Sequence, residues 1–155
     1  MSDSVTLLAP FSGRLLPLSA VPDPVFAQGM VGRGFAIGAS EGRLVAPVAG
    51  RVLQVFPGGH AVVLGGPRGL ELILHIGLET VALGGRGFQP ACRDGQEVAA
   101  GEMLVAFDWA EIAKTGRSLI SPCVIANSDL VAGVVLAGGE RVKAGRDIAA
   151  TVILK

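Results

Sequence analysis

An all-β fold, an antiparallel β-sandwich or barrel built from two similar halves with one or two short helical turns, follows from three features of the sequence. Half of the 155 residues are hydrophobic, Gly at 23 positions and Pro at 9 cut them into short runs rich in Val, Ile and Leu, and two segments recur. Short β-branched runs bounded by turn formers are the pattern of many strands joined by tight turns. A chain of this length buries one sizeable core, so residues 1–155 are read as a single domain, with residues 1–5 disordered at the end.

The recurrences define the halves. LLAPFSGRLLPL (7–18) is echoed by RLVAPVAGRVLQV (43–55), and DGQEVAAGEMLVAFD (94–108) by GGERVKAGRDIAATV (138–152). In the first pair an apolar strand reaches Ala-Pro, turns at Gly and continues as a strand. Pro withholds a ladder donor there, and Gly supplies the backbone freedom of the turn. In the second pair a Gly-led turn, a Val, a second Gly and an apolar run predict a compact hairpin. Repetition at unequal spacing points to two half-barrels closing one core rather than to a solenoid. Helical periodicity is weak: Asp108 is placed to cap a turn or two over Ala110–Thr115, and a second short turn falls around Pro24–Gln28. With no Tyr, one Trp and six Phe, the interior is expected to rest on aliphatic shape rather than aromatic stacking.

Charge and hydropathy exclude several function classes. Thirteen basic and thirteen acidic residues cancel and are spread along the chain. No basic cluster is available for a nucleic acid or an anionic lipid surface. Gly, Pro or charge interrupts every apolar stretch before the roughly 18 residues a spanning helix needs. No basic n-region followed by an apolar run opens the chain. The expected setting is the cytoplasm, without direct membrane insertion. Cys92 and Cys123 stand outside any CxxC or disulfide-dense pattern and read as reduced, small apolar residues.

Only two histidines occur, so any imidazole chemistry uses His60, His75 or both. HAVVLGGPRGLELILH (60–75) reads as strand, turn, strand, with the turn at Gly65–Gly69. A hairpin symmetric about Pro67 and Arg68 sets His60 directly opposite His75, with Val62 facing Ile73 as an apolar floor, unless a bulge shifts the register. Two readings stay open on spacing alone. The histidines end strands at the surface, or they form a pair that shares a proton, a metal or an anion.

The surroundings of His75 carry more. LILHIGLETV (72–81) resembles the signature around the phosphorylated histidine of the glucose and N-acetylglucosamine-type IIA components of the bacterial sugar phosphotransferase system. Further matches run in order along the chain: AP then SG at 9–13, VPDPVF at 21–26 with VGRG at 31–34, AP then AG at 46–50, FPGGHA at 56–61, GFQPACRDGQEV at 87–98, FD at 107–108 and SPCVIANSD at 121–129. The resemblance implies a duplicated antiparallel β-sandwich, in a free-standing protein or as one module of a longer fusion, and a monomer is expected because the site must stay open to successive partners. Its implied activity is that of a phosphotransferase component, accepting a phosphoryl group from the HPr phosphocarrier and passing it to the IIB domain of a membrane sugar permease. Carried across, His75 matches the phosphorylated residue and His60 its supporting neighbour. Asp23, Val25, Phe26, Val31, Phe56, Ile73, Glu79 and Val81 match positions around the site where partners dock. Asp23 also reads as the cap of the following turn. Three positions depart from the family pattern: Gly58 where Thr is usual, Ile73 where an aromatic is usual, and Glu79 where Asp is customary.

A neutral imidazole is a competent nucleophile, and phosphoryl transfer needs positioning more than further covalent chemistry. The cycle implies no metal and no bound cofactor. Lysostaphin-like zinc endopeptidases share the architecture but need an HxH pair with a further His and an Asp, and this chain has no third histidine. Biotinyl and lipoyl carriers have hairpins similar to GQEVAAGEML, but Lys114, Lys143 and Lys155 lack the flanks of a modified lysine. The alternative kept is a non-catalytic regulatory module using the His60/His75 face, with or without a zinc ion shared with a partner.

Overall fold

In a computed structural model, whose residues 3–155 are described here, the chain runs through fourteen strands and two short helices. In order these are β1 (Ser4–Leu8), β2 (Gly13–Pro17), α1 (Pro24–Ala27), β3 (Arg33–Ala39), β4 (Arg43–Val45), β5 (Gly50–Val55), β6 (Ala61–Gly65) and β7 (Glu71–His75). Then follow β8 (Phe88–Pro90), β9 (Glu97–Val98), β10 (Met103–Phe107), α2 (Trp109–Lys114), β11 (Ile120–Ile125), β12 (Val131–Leu136), β13 (Arg141–Val142) and β14 (Ile148–Leu154). The all-β expectation holds. Both helices fall where expected: Asp23 Oδ1 accepts from Val25 N–H to cap α1, and Asp108 Oδ1 accepts from Glu111 N–H to cap α2.

The strands form an eight-stranded antiparallel sheet, ordered β13-β2-β3-β11-β7-β6-β5-β9, and two three-stranded sheets, β1-β14-β12 and β4-β10-β8. The large sheet reads alike from either end, each strand having a counterpart across a pseudo-two-fold axis between β11 and β7. The two small sheets are counterparts of each other. Loop bonds repeat the relation: Leu8 N–H donates to the Pro47 carbonyl and Val45 N–H to that of Pro10, so the two Ala-Pro turns hold one another.

The DGQEV and GGERV segments are not hairpins. β9 pairs with β5 while β10 pairs with β4 and β8, and β13 pairs with β2 while β14 pairs with β1 and β12. The Gly between each strand pair carries the chain from one sheet to another, because Gly101 N–H donates to Ala46 and Gly145 N–H to Ala9. The expected disorder of residues 1–5 is corrected at Ser4 and Val5. Ser4 pairs with Ile153 and Val5 with Val152, since the alternation Ser4-Val5-Thr6-Leu7 buries Val5 and Leu7 on one face. Met1 and Ser2 lie outside the described residues.

One large core lies between the sheets. Phe11, Phe35, Phe88 and Phe107 are buried in it, and Phe107 stands edge-on to Phe11 at 6.2 Å and tilted to Phe88 at 6.5 Å. Aromatic contacts therefore supplement the aliphatic packing that composition predicted. A smaller cluster of Val21, Ala36 and Leu78, with Phe26 and Ile120 against it, fixes α1 on the opposite face of the large sheet. Cys123 is fully buried, which pushes its thiol up to about 12, and both cysteines are free.

The close approach of strands in the two halves rests on glycine. A Cβ on Gly50 would lie 2.0 Å from the Gly65 carbonyl oxygen, and one on Gly13 would lie 2.0 Å from that of Gly38, its counterpart. Gly138 has open space around it. Urea unfolding should show Gly50→Ala losing about 2–4 kcal/mol and Gly138→Ala changing by less than about 0.5 kcal/mol.

Candidate functional site

His75 is the last residue of β7. Along this strand Leu72 and Leu74 are buried in the core, while Glu71, Ile73 and His75 face the other way. The register across the hairpin differs from the symmetric expectation by one residue: His75 faces Ala61, Leu74 faces Val62 and Ile73 faces Val63. The reason lies in the turn. Arg68 takes a left-handed conformation at φ 61°, Gly66 N–H donates to Leu70, and the loop centres on Arg68 alone. The apolar floor beside His75 is therefore Val63 and Ile73, and Val62 belongs to the core.

His60 consequently stands before the strand, its carbonyl accepting from Ile76 N–H. Strict alternation would point its side chain away from that of His75. A turn over residues 57–60 releases it, with Gly58 and Gly59 at φ 92° and 84° and Phe56 N–H donating to Ala61. The two imidazoles meet edge to face with centroids 5.3 Å apart. Gly58 is suited to this turn, because a Cβ there would lie 3.1 Å from Gly85 N.

Four rings form a row. Phe26 lies 5.6 Å from His75 on one side, and Phe56 stands edge-on to His60 at 5.6 Å on the other. His60 is 5% exposed whereas His75 is only half-buried, so His75 is the more open of the pair to an incoming group. Burial lowers the pKa of both imidazoles. For His75 the hydrogen bond to Gly77 opposes this, His60 adds to it and Asp23 opposes it; for His60 the Pro57 backbone opposes it. Both rings are accordingly neutral at pH 7.

Protonation at His75 follows from one contact. Its Nδ1 lies 2.7 Å from the Gly77 carbonyl oxygen. A carbonyl can only accept, so Nδ1 carries the proton and Nε2 keeps its lone pair. The loop that presents this carbonyl is bonded on every side. Gly77 N–H donates to Ser121 Oγ, Leu78 N–H to the Ser118 carbonyl, and Thr80 Oγ1 to the Ile76 carbonyl. Gly77 itself is left-handed at φ 65°, and a Cβ there would lie 2.6 Å from the Ser118 oxygen.

The remaining expected site residues differ in what they contact and in how exposed they are. Asp23 caps α1, as one of its two readings had it, and also acts on His75 electrostatically. Glu79 is left-handed at φ 59°, and its carbonyl accepts from Arg117 Nε. Asp23, Glu79 and Arg117 line an open cleft of about 610 Å³ with Pro22, Pro24 and Leu78. Val25 and Val81 are 46% and 61% exposed, and Val31 is half-buried. Met30, 71% exposed just after α1, was not anticipated, and neither were the roles of Arg117, Ser118 and Ser121. Ser121 does open the SPCVIANSD segment, but only its partner atoms reveal what it holds. Among the described residues, no group of three or more His, Cys, Asp or Glu could hold a metal ion, and no helix is long and apolar enough to cross a membrane.

A neutral imidazole with a free outer nitrogen, set in a shallow, partly apolar surface, is suited to receive a group from one macromolecule and deliver it to another. The model of the family described as phosphoenolpyruvate-dependent sugar phosphotransferase system, EIIA 1, matches residues 5–131. The chain is 45% identical over 130 residues, 84% of its own length and 78% of the relative's, to the PTS system glucose-specific EIIA component of Staphylococcus aureus (strain COL). It is 44% identical over 126 residues, 81% and 76% of the two lengths, to the component of the same name from Staphylococcus epidermidis (strain ATCC 12228 / FDA PCI 1200). The fold matches that of glucose permease IIA from Mycoplasma capricolum with a TM-score of 0.89 and 37% identity, covering 96% of both chains. The chain belongs to the EIIA 1 family of the sugar phosphotransferase system. It is a phosphocarrier component of sugar uptake.

Because folding lowers the pKa of both imidazoles, the unfolded chain binds more protons in the interval below the ordinary value of 6.5. Stability therefore rises with pH across that interval and is lost on acidification. The urea midpoint should fall between about pH 7.5 and about pH 5.5, and fall less in His75→Gln, which lacks one of the two groups. An equal fall in wild type and variant would contradict a buried neutral His75.

Proposed function

We propose that His75 is the phosphorylated residue, that its Nε2 takes the phosphoryl group from the HPr phosphocarrier, and that the IIB domain of a membrane sugar permease receives it. The observation that carries this reading is the Nδ1–H bond to Gly77, which leaves Nε2 as the free nucleophilic nitrogen. Its lone pair forms the new N–P bond while the donor's bond to phosphorus breaks, that electron pair leaving with the donor. No proton has to move at Nδ1. The ring then carries a positive charge beside a phosphoryl group of roughly 1.5 to 2 negative charges, and the Gly77 carbonyl and Asp23 favour that cationic ring. Transfer to IIB is the same displacement with the roles exchanged.

His60 is the supporting imidazole, close enough and buried enough to donate an N–H to a phosphoryl oxygen without competing for water. Val25, Phe26, Val31, Phe56, Ile73 and Val81, with Met30 added, form the apolar surface on which HPr and IIB dock in turn and from which water is displaced. Asp23 and Glu79 meet basic groups of those partners from the adjoining cleft. The protein acts as a monomer in the cytoplasm, since one face serves successive partners. The names of the relatives point to a glucose-type permease as the destination.

Intact mass after incubation with phosphoenolpyruvate, enzyme I and HPr tests the assignment. Wild type should gain one acid-labile phosphoryl group, His75→Gln none, and His60→Gln should gain it about 10²-fold more slowly. A gain that persists in His75→Gln would move the nucleophile elsewhere. Val81→Glu, on an exposed position, should raise the KM for phosphorylated HPr about tenfold with little change in kcat or Tm. An unchanged KM would remove Val81 from the docking surface.

A further inference from the structure

We infer that Ser121 is a positioning residue for phosphoryl transfer, selecting the tautomer of His75 through the Gly77 peptide; the inference rests on the reading of Nε2 as nucleophile. It starts from a break in the sheet. The ladder between β11 and β7 runs Ile125 to Leu72, Val124 to Ile73 and Cys123 to Leu74, and stops there. The next residue of β11 is Pro122, opposite His75 and without an N–H to give. Under the pseudo-two-fold, Gly77 is the counterpart of Ala126, and Ile120 that of Glu71. Ala126 N–H donates to the Glu71 carbonyl in an ordinary backbone bond. In the half that carries the histidines the matching bond is absent, and Gly77 N–H donates instead to Ser121 Oγ at 2.9 Å, while that hydroxyl donates to the Leu119 carbonyl at 3.0 Å.

The substitution of a side chain for a backbone acceptor turns the peptide. With the Ile76–Gly77 plane pinned by Ser121 at its N–H and by Thr80 at its carbonyl, the left-handed Gly77 directs the next plane so that its carbonyl meets His75 Nδ1 and its N–H meets Ser118. Ser121 and Thr80 are both 0% exposed, so water cannot replace either hydroxyl. Removing the Ser121 oxygen leaves the Gly77 N–H buried without a partner, which favours rotation of the loop away from His75. The His75 ring then has no acceptor at Nδ1 and redistributes its proton between the two nitrogens. Every molecule with the proton on Nε2 has lost the nucleophilic lone pair.

The test is to prepare Ser121→Ala, Ser121→Cys and Ser121→Thr with 15N-labelled histidine and to measure two things. The first is the tautomer of His75 from the ring nitrogen shifts in the unphosphorylated protein; the second is the rate of phosphorylation by phosphorylated HPr. In Ser121→Ala the Nδ1–H form should no longer dominate and the rate should fall about tenfold, roughly the consequence of losing one buried hydrogen bond. Ser121→Cys keeps the volume with a weak acceptor and should fall between; Ser121→Thr keeps the hydroxyl and should match wild type. A wild-type tautomer and rate in Ser121→Ala, or in Ser121→Cys should the alanine variant not fold, overturns the inference, as does a fall in stability alone. Because the tautomer is read without phosphate, an absence of phosphorylation in wild type would sink the carrier assignment while the shifts still decide the role of Ser121.

Discussion

The hydrogen bond from His75 Nδ1 to the Gly77 carbonyl, 2.7 Å long, is the contact around which the rest of the molecule is arranged. An isolated imidazole distributes its neutral proton over both nitrogens, and only a fixed acceptor makes one of them reliably nucleophilic. An acceptor two residues along the same chain is fixed only if the intervening loop is. Three further bonds, to Ser121, Ser118 and Thr80, hold that loop, and two of their partners lie in or just before β11, forty residues away in sequence. The large sheet is thus the means by which a distant strand orients one ring.

Burial sets a second constraint that pulls the other way. Desolvation keeps both histidines neutral, as a nucleophile requires, yet a phosphorylated ring and its phosphoryl group are heavily charged and cost several kcal/mol if buried without donors. The structure divides the problem between the two rings. His60 is sunk against Phe56 and His75 remains half open, so under the proposed assignment the charge develops at the boundary with water while the supporting donor stays desolvated. Asp23 acts in the same sense, favouring the cationic ring while its Oδ1 caps α1.

How much of this was legible in the sequence depended on whether a feature lived in composition or in geometry. The short Val-rich runs and the two echoed segments carried the all-β fold and its duplication, because strand pattern and turn chemistry are local. The segment at 72–81 carried the proposed site through resemblance. The facing of His60 and His75 was not legible from hairpin arithmetic. The true register is one residue off, and the rings meet only because Gly58 and Gly59 break the alternation. The supposed hairpins at 94–108 and 138–152 failed for a related reason: each Gly turn bonds to the opposite Ala-Pro loop, a long-range partner that no local pattern shows. Ser121 was visible as a residue in a matched segment and silent as a role, since a serine beside a proline in a strand acquires meaning only from the amide it accepts.

The duplication clarifies why the histidine pair sits in one half only. Under the pseudo-two-fold, the counterpart of His75 is Val124 and that of His60 is Arg33. Val124 is fully buried, paired with Gly34 on one side and Ile73 on the other, in a ladder with no break beside it. The half that carries the histidines differs by an interruption, for Pro122 removes the donor opposite His75 and the ladder ends there. A residue freed from the ladder at the end of β7 can turn its ring to a loop carbonyl and still face solvent. The same residue inside an unbroken ladder would be packed on both sides, as Val124 is. The proposed site lies where a symmetric sheet stops being symmetric, at a proline with a serine before it.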